Sequence, residues 1–198
     1  MRIIAGRYRR RQLFANPGKT TRPITDRAKE QLFENLGGEL KVERVADIFS
    51  GTGSMGLEAI SRGAAHCVFI ELDRKAYELL EQNVEKVGIG ADVLCWRTDV
   101  LRCSFLPKGR AELTPYELIF YDPPFPMLKD LKAGSPMFRS LERLARPGVS
   151  SDDCIMILRV PPRTEAEVPP EWTLQWSLKP AGMEILVFRK TEFIAPAE

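Results

Sequence analysis

The chain of 198 residues holds a single histidine, His66, and four widely spaced cysteines with no Cys-x-x-Cys pair. A zinc site built from His and Cys at ligand spacing is therefore excluded, and no metal is expected. Cys67, Cys95, Cys103 and Cys154 lie mostly in or beside apolar stretches, which suits buried free thiols and a reducing cytoplasmic setting. No apolar run is long enough to span a bilayer, so no membrane partner is expected. The opening Met1-Arg2-Ile3-Ile4-Ala5-Gly6 lacks the apolar core of a signal peptide. Repeats and low-complexity tracts are absent. The 44% hydrophobic and 28% charged residues are ordinary for a folded globular chain of this size.

Net charge is small, at +2, but uneven. Residues 1–30 carry nine Arg and Lys against Asp26 and Glu30, so this segment is +7 and the other 168 residues sum to −5. A basic arm on a mildly acidic body points to a polyanionic partner, with Arg7, Arg9, Arg10, Arg11, Arg22 and Arg27 as candidate phosphate contacts. His66, in an Ala-Ala-His-Cys turn, reads as structural.

The most informative stretch is Asp122-Pro123-Pro124-Phe125, which follows the apolar Tyr116–Tyr121. Two prolines cannot continue a central sheet, so the chain leaves it here in a stiff loop. An acid, two rigid prolines and an aromatic at a strand's carboxyl end can hold a planar base and accept hydrogen bonds from its amine. Upstream, Val45–Phe49 reads as a strand, Ser50–Gly56 as a glycine-rich turn and Leu57–Ile60 as helix. That is the context of a nucleotide loop, with glycines permitting close ligand approach. Gly51, Gly53 and Gly56 also meet the dinucleotide spacing. However, Asp47 within the strand suits a cationic ligand better than a pyrophosphate.

A second apolar strand, Cys67–Ile70, ends at Glu71-Leu72-Asp73. Glu71 stands 20 residues after Gly51, the distance at which an acid reaches ribose hydroxyls in this topology. Asp73 is placed as the cap of a helix over 74–86. A third strand over 91–96 leads to Asp99 and Val100. The loop, Glu71, Asp99 and the tetrapeptide all fall at carboxyl ends of strands, where open α/β sheets bind ligands. A helix from Thr25 or Asp26 to Leu36, a helix over 136–146, a strand over 155–160 and a final antiparallel pair around 172–176 and 184–188 complete the reading. Arg2–Ala5 and Gln12–Phe14 are expected to pair as a small hairpin.

Asp122-Pro123-Pro124-Phe125 resembles the motif of amino-group methyltransferases, and Asp47–Ser54 resembles the first motif of S-adenosylmethionine-dependent enzymes. Arg2–Arg11 and Arg22–Phe33 narrow the likeness. The chain is similar to the bacterial methyltransferases that modify a guanine N2 amine in 16S ribosomal RNA. The resemblance implies a seven-stranded Rossmann-like α/β sheet with a small basic N-terminal hairpin extension. It divides the chain into an arm over 1–20, a methyltransferase domain over 21–192 and a frayed tail over 193–198. It implies S-adenosyl-L-methionine as cofactor, held by Asp47, Gly51, Thr52, Gly53, Glu71, Leu72, Asp99 and Val100. It implies Asp122, Pro123, Pro124 and Phe125 as catalytic residues, and 16S rRNA or a small-subunit assembly intermediate as the partner of a monomer. One departure stands out: Arg159 occupies the end of the fifth strand, where the resemblance leads one to expect an acid. Adenine-N6 methylation of DNA or another RNA is the alternative reading. A non-catalytic RNA-binding assembly factor and a NAD-dependent oxidoreductase are the more distant ones.

Overall fold

A computed structural model describes residues 1–15 and 24–191. Arg22 and the tail over 193–198 lie outside the described residues. In chain order the elements are α1 (Asp26–Asn35), β1 (Arg44–Ile48), α2 (Ser54–Ser61), β2 (His66–Ile70), α3 (Arg74–Val87), β3 (Val93–Trp96), β4 (Tyr116–Tyr121), α4 (Pro136–Leu144), β5 (Ser150–Val160), β6 (Trp172–Leu178) and β7 (Glu184–Lys190). The seven strands form one sheet in the order β3-β2-β1-β4-β5-β7-β6. β1 to β5 are parallel, while β7 runs antiparallel to both β5 and β6.

Apolar side chains alternate between the two faces of each strand, as strand geometry requires. Val45, Phe69, Leu118, Phe120 and Ile157 pack on the face covered by α1, α2 and α3. Ala46, Ile48, Val68, Ile70, Ile119, Tyr121, Met156 and Leu158 pack on the other face with α4. The same alternation places Asp47, Asp122 and Arg159 on the α1 side, at the carboxyl ends of β1, β4 and β5.

Local signals account for the helix boundaries. Thr25 accepts the Ala28 N–H and Asp73 the Ala76 N–H, capping α1 and α3. Such a cap is worth about 1 kcal/mol. Gly88 closes α3 in the left-handed region. The strand expected over 91–96 loses its first two residues to a 3-10 turn, and β5 begins five residues earlier than its apolar run suggests. All four cysteines are free; Cys95 is half-buried and the other three are buried. No helix among the described residues is long and apolar enough to cross a membrane.

The N-terminal segment is docked on the α1–α3 face. The expected pairing is short: an antiparallel bridge between Arg2 and Gln12, flanked by the Ile3 N–H donating to the Arg11 carbonyl at 3.1 Å and the Leu13 N–H to the Met1 carbonyl at 2.9 Å. The segment is also held by the body: Ile3, Tyr8 and Leu13 are buried in the same core as α1, α2 and α3. Glu58 of α2, fully buried, accepts the N–H groups of Ile4 at 2.8 Å and Ala5 at 3.0 Å. It also pairs with Lys29 of α1 at 3.1 Å and with Arg62 at 2.8 Å.

Candidate active site

The glycine-rich turn joins β1 to α2. Gly51 and Gly53 have φ of 56° and 85°, conformations that disfavour side chains. Gly53 and Gly56 are also required by packing. A Cβ on Gly53 would come 2.6 Å from Leu80, and one on Gly56 would collide with the Phe69 ring and the Cys67 sulfur. Gly51 differs: nothing lies within 4 Å of its missing Cβ, so its open side faces the ligand end of the sheet.

Three side chains hold this turn from below. Glu71 accepts the Gly51 N–H and the Asp73 N–H, each at 2.8 Å. Burial pushes its carboxyl above the usual range, opposed by these backbone donors. Asp47, 1% exposed, accepts the Gly56 N–H at 2.8 Å, and burial pushes its pKa up to about 8. Asn83 of α3 donates to the Thr52 carbonyl at 2.9 Å and exchanges hydrogen bonds with the backbone of Phe14. Thr52 is itself buried.

Sequence reading missed Asn83, Glu58 and Lys29. A polar residue inside a helical stripe was the only local signal for any of them.

Farther along the strand ends, Leu72 is 54% exposed, an apolar side chain unusually open beside Glu71. Asp99 accepts the Leu101 N–H and lies 3.5 Å from Arg102, so it shapes its own turn while remaining partly exposed. Val100, next in the chain, is buried.

The tetrapeptide sits beside the glycine turn because β4 pairs with β1. Ile48 is level with Tyr121, and Asp122 donates its N–H to the Ile48 carbonyl at 3.1 Å. Phe49 packs edge-on to Tyr121, with ring centroids 5.4 Å apart. Pro123 is buried, whereas Pro124 and Phe125 are half-buried, and the chain continues into a 3-10 helix over Phe125–Asp130. Asp122 keeps 23% of its side chain exposed and accepts from Arg159 Nε at 2.7 Å. Burial raises its pKa, and the Arg159 charge and hydrogen bond pull it back down.

The candidate arginines are not equivalent. Arg7, Arg9, Arg10 and Arg11 are all exposed, as is Arg27 on α1. Arg7 and Arg11 lie over the Tyr8 ring, at 5.3 and 5.2 Å from its centroid. Arg11 also donates to the Lys86 and Val87 carbonyls, closing the carboxyl end of α3.

Strand order, glycine turn and Asp-Pro-Pro-Phe loop define the class: this is the fold of the S-adenosylmethionine-dependent methyltransferases. Residues 1–190 match the family described as Conserved hypothetical protein 95, and the chain belongs to that family. Bacillus subtilis YlbH, provisionally named an rRNA methyltransferase, is 34% identical over 148 residues, 75% of this chain and 79% of that one. The Escherichia coli K12 protein named ribosomal RNA small subunit methyltransferase D is 34% identical over 125 residues, 63% of this chain and 60% of its own length. Its counterpart of the same name in Buchnera aphidicola is 37% identical over 123 residues, 62% of each chain. The match thus spans less than two thirds of those two relatives. The solved structure of Escherichia coli yhhF superposes with a TM-score of 0.77 at 28% identity, covering 96% of this chain and 98% of that one. A Salinibacter ruber RNA methyltransferase, solved with S-adenosyl-L-homocysteine, shares the fold with a TM-score of 0.63 at 14% identity, over 88% of this chain and 97% of that one.

Proposed function

We propose that the chain transfers a methyl group from S-adenosyl-L-methionine to the exocyclic N2 amine of a guanine in 16S ribosomal RNA, on a small-subunit assembly particle. The observation that carries this reading is the junction of Asp122-Pro123-Pro124-Phe125 with the glycine turn across the β1–β4 pairing. Relatives named small-subunit rRNA methyltransferases support the substrate class.

The residues fit the cofactor. Gly51 offers an open backbone edge, Glu71 a carboxylate at the ribose position and Leu72 an exposed apolar side chain for the adenine. Asp99 and Val100 border the same end. In this reading Asp47 acts through the loop: its burial and its bond to Gly56 make it a brace for Gly51, Thr52 and Gly53.

The cofactor supplies a methyl group already activated on a sulfonium. What the protein must do is align the amine, exclude water and favour the charge that develops on nitrogen. A guanine amine is a weak nucleophile because its lone pair is spread into the ring. Asp122 and the Pro123 carbonyl accept its two N–H bonds, Pro124 stiffens the loop, and Phe125 stacks on a base turned out of its helix. The proton leaves after transfer, so Asp122 need not be a strong base. The exposed arginines of the N-terminal segment contact phosphates and orient the RNA without reading its sequence.

The test is incubation with labelled methyl donor and, in parallel, free 16S rRNA, partly assembled small subunits and DNA, followed by nucleoside analysis. Label in N2-methylguanosine is expected. Label in N6-methyladenosine would replace the target, and no transfer by a chain that binds the cofactor would end the catalytic reading. Asp122→Ala should abolish transfer while leaving cofactor binding in place.

A further inference from the structure

The end of β5 carries a cation where the family resemblance led one to expect an acid, and the fold brings it against the Asp-Pro-Pro-Phe loop. Tyr121 and Leu158 are level in the parallel pairing of β4 and β5, so Asp122, just past β4, lies beside Arg159, which is still within β5 and paired with Ile185 of β7. Arg159 Nε donates to Asp122 Oδ1 at 2.7 Å. Its guanidinium carbon also lies 5.6 Å from the centroid of the Phe125 ring. One side chain therefore touches both the acid and the aromatic of the tetrapeptide.

The surroundings make this contact count. The Arg159 side chain is 9% exposed, and the pair borders a hollow of about 20 Å³ floored by Ile24, Leu32, Ile157 and Ile185. With little water to compete, a charge-assisted hydrogen bond holds a carboxylate in one orientation. Among the described residues, the titratable groups that act on or beside Asp122 are Arg159 from β5 and Asp47 from β1, with Lys29 of α1 acting on Asp47 in turn. Of these, Arg159 favours ionised Asp122.

We propose that Arg159 is a positioning residue for methyl transfer: it clamps one oxygen of Asp122 and braces Phe125, so that the second oxygen is presented to the amine of the target base. The inference rests on the function proposed above. Arg159 acts through Asp122 and does not contact the reacting atoms.

The consequence is a pH signature. Ionised Asp122 is the stronger acceptor and the better stabiliser of charge developing on the amine, so activity falls as pH drops through its titration. Without the Arg159 charge, burial alone sets that titration and moves it to higher pH. The experiment compares wild type, Arg159→Gln and Arg159→Lys by the pH profile of kcat and by carbon-13 carboxyl titration of Asp122. Binding of S-adenosyl-L-homocysteine reports on the integrity of the fold.

For Arg159→Gln, the acid limb and the carboxyl transition should both move to higher pH, with kcat at neutral pH falling roughly tenfold to a hundredfold, the scale of a misplaced reacting group. Binding of S-adenosyl-L-homocysteine should hold. Arg159→Lys keeps the charge and should keep the acid limb near that of wild type, with a reduced kcat from the lost brace on Phe125. An unmoved carboxyl transition in Arg159→Gln would overturn the proposal. So would loss of S-adenosyl-L-homocysteine binding in both variants, which would mark a purely structural arginine. If wild type transfers no methyl group to RNA, the functional reading fails on its own, and the carboxyl titration still decides whether Arg159 governs Asp122.

Discussion

Replacing Glu58 with Gln should uncouple the N-terminal segment from the body and cost a large share of the stability. Glu58 is fully buried and compensates two cations, Lys29 at 1% and Arg62 at 2% side-chain exposure, while accepting two backbone N–H groups. A glutamine can still accept with one oxygen, but its amide points donors at groups that are themselves donors. Breaking a buried ion pair from one side costs about 3–5 kcal/mol, against roughly 5–15 kcal/mol for a whole domain. At about 1–3 kcal/mol per molar urea, the unfolding midpoint should fall by roughly 1–5 M. Lys29 limits the penalty. Burial already lowers its pKa and Glu58 props it up, so in the variant the lysine sheds its proton more readily. A lysine whose folded pKa is depressed gains stability as pH rises between its folded and unfolded values. The deficit of the variant should therefore shrink on moving from neutral to alkaline pH. Urea titrations at two pH values, with limited proteolysis to detect release of the first 15 residues, provide the assay. Exposed Glu78→Gln, which loses only a surface pair with Arg74, serves as the control. A Glu58→Gln midpoint indistinguishable from that of the control would refute the reasoning.

Other outcomes follow from the same geometry. Asp47 has a folded pKa of about 8, above the unfolded carboxylate value near 4. Its stabilising share is therefore complete at low pH and lost as pH rises through about 8. Asp47→Asn keeps an acceptor for Gly56 and should flatten the fall of Tm over that range; an unchanged Tm profile would remove Asp47 as its cause. Gly56→Ala should cost about 1–3 kcal/mol, the scale of overpacking, because the new methyl meets Phe69 and Cys67; calorimetric unfolding measures it. Arg9→Gln with Arg10→Gln is a cleaner test of RNA contact than a change at Arg7 or Arg11, which also pack on Tyr8. Loss of two phosphate contacts should reduce the salt slope of RNA binding by about 1.4–1.8. Equal slopes would show that these two charges are merely solvated.

Much of the site was legible in the chain because each of its parts is local. The apolar run Tyr116–Tyr121 ends at the strand boundary the prolines impose, and Asp73 caps the helix it precedes. The 20-residue step from Gly51 to Glu71 follows from the size of one strand–helix–strand unit, and it brought the two within 2.8 Å. Period-two alternation sorted the strand residues between two faces before any packing was known. The docking of the first residues was not legible. Glu58 reaches Ile4 across 54 positions, and Asn83 reaches Phe14 across 69. Nothing near those residues distinguishes a buried polar joint from a solvated side chain. The meaning of Arg159 was hidden for the same reason. In sequence it is a cation misplaced at the end of a strand, 37 residues from Asp122. Local patterns determine strands, turns and caps because their energies arise between near neighbours. Whether a charge is a brace, a clamp or a solvated group depends on what the folded sheet sets beside it and how much water it leaves there, and only the tertiary structure decides that.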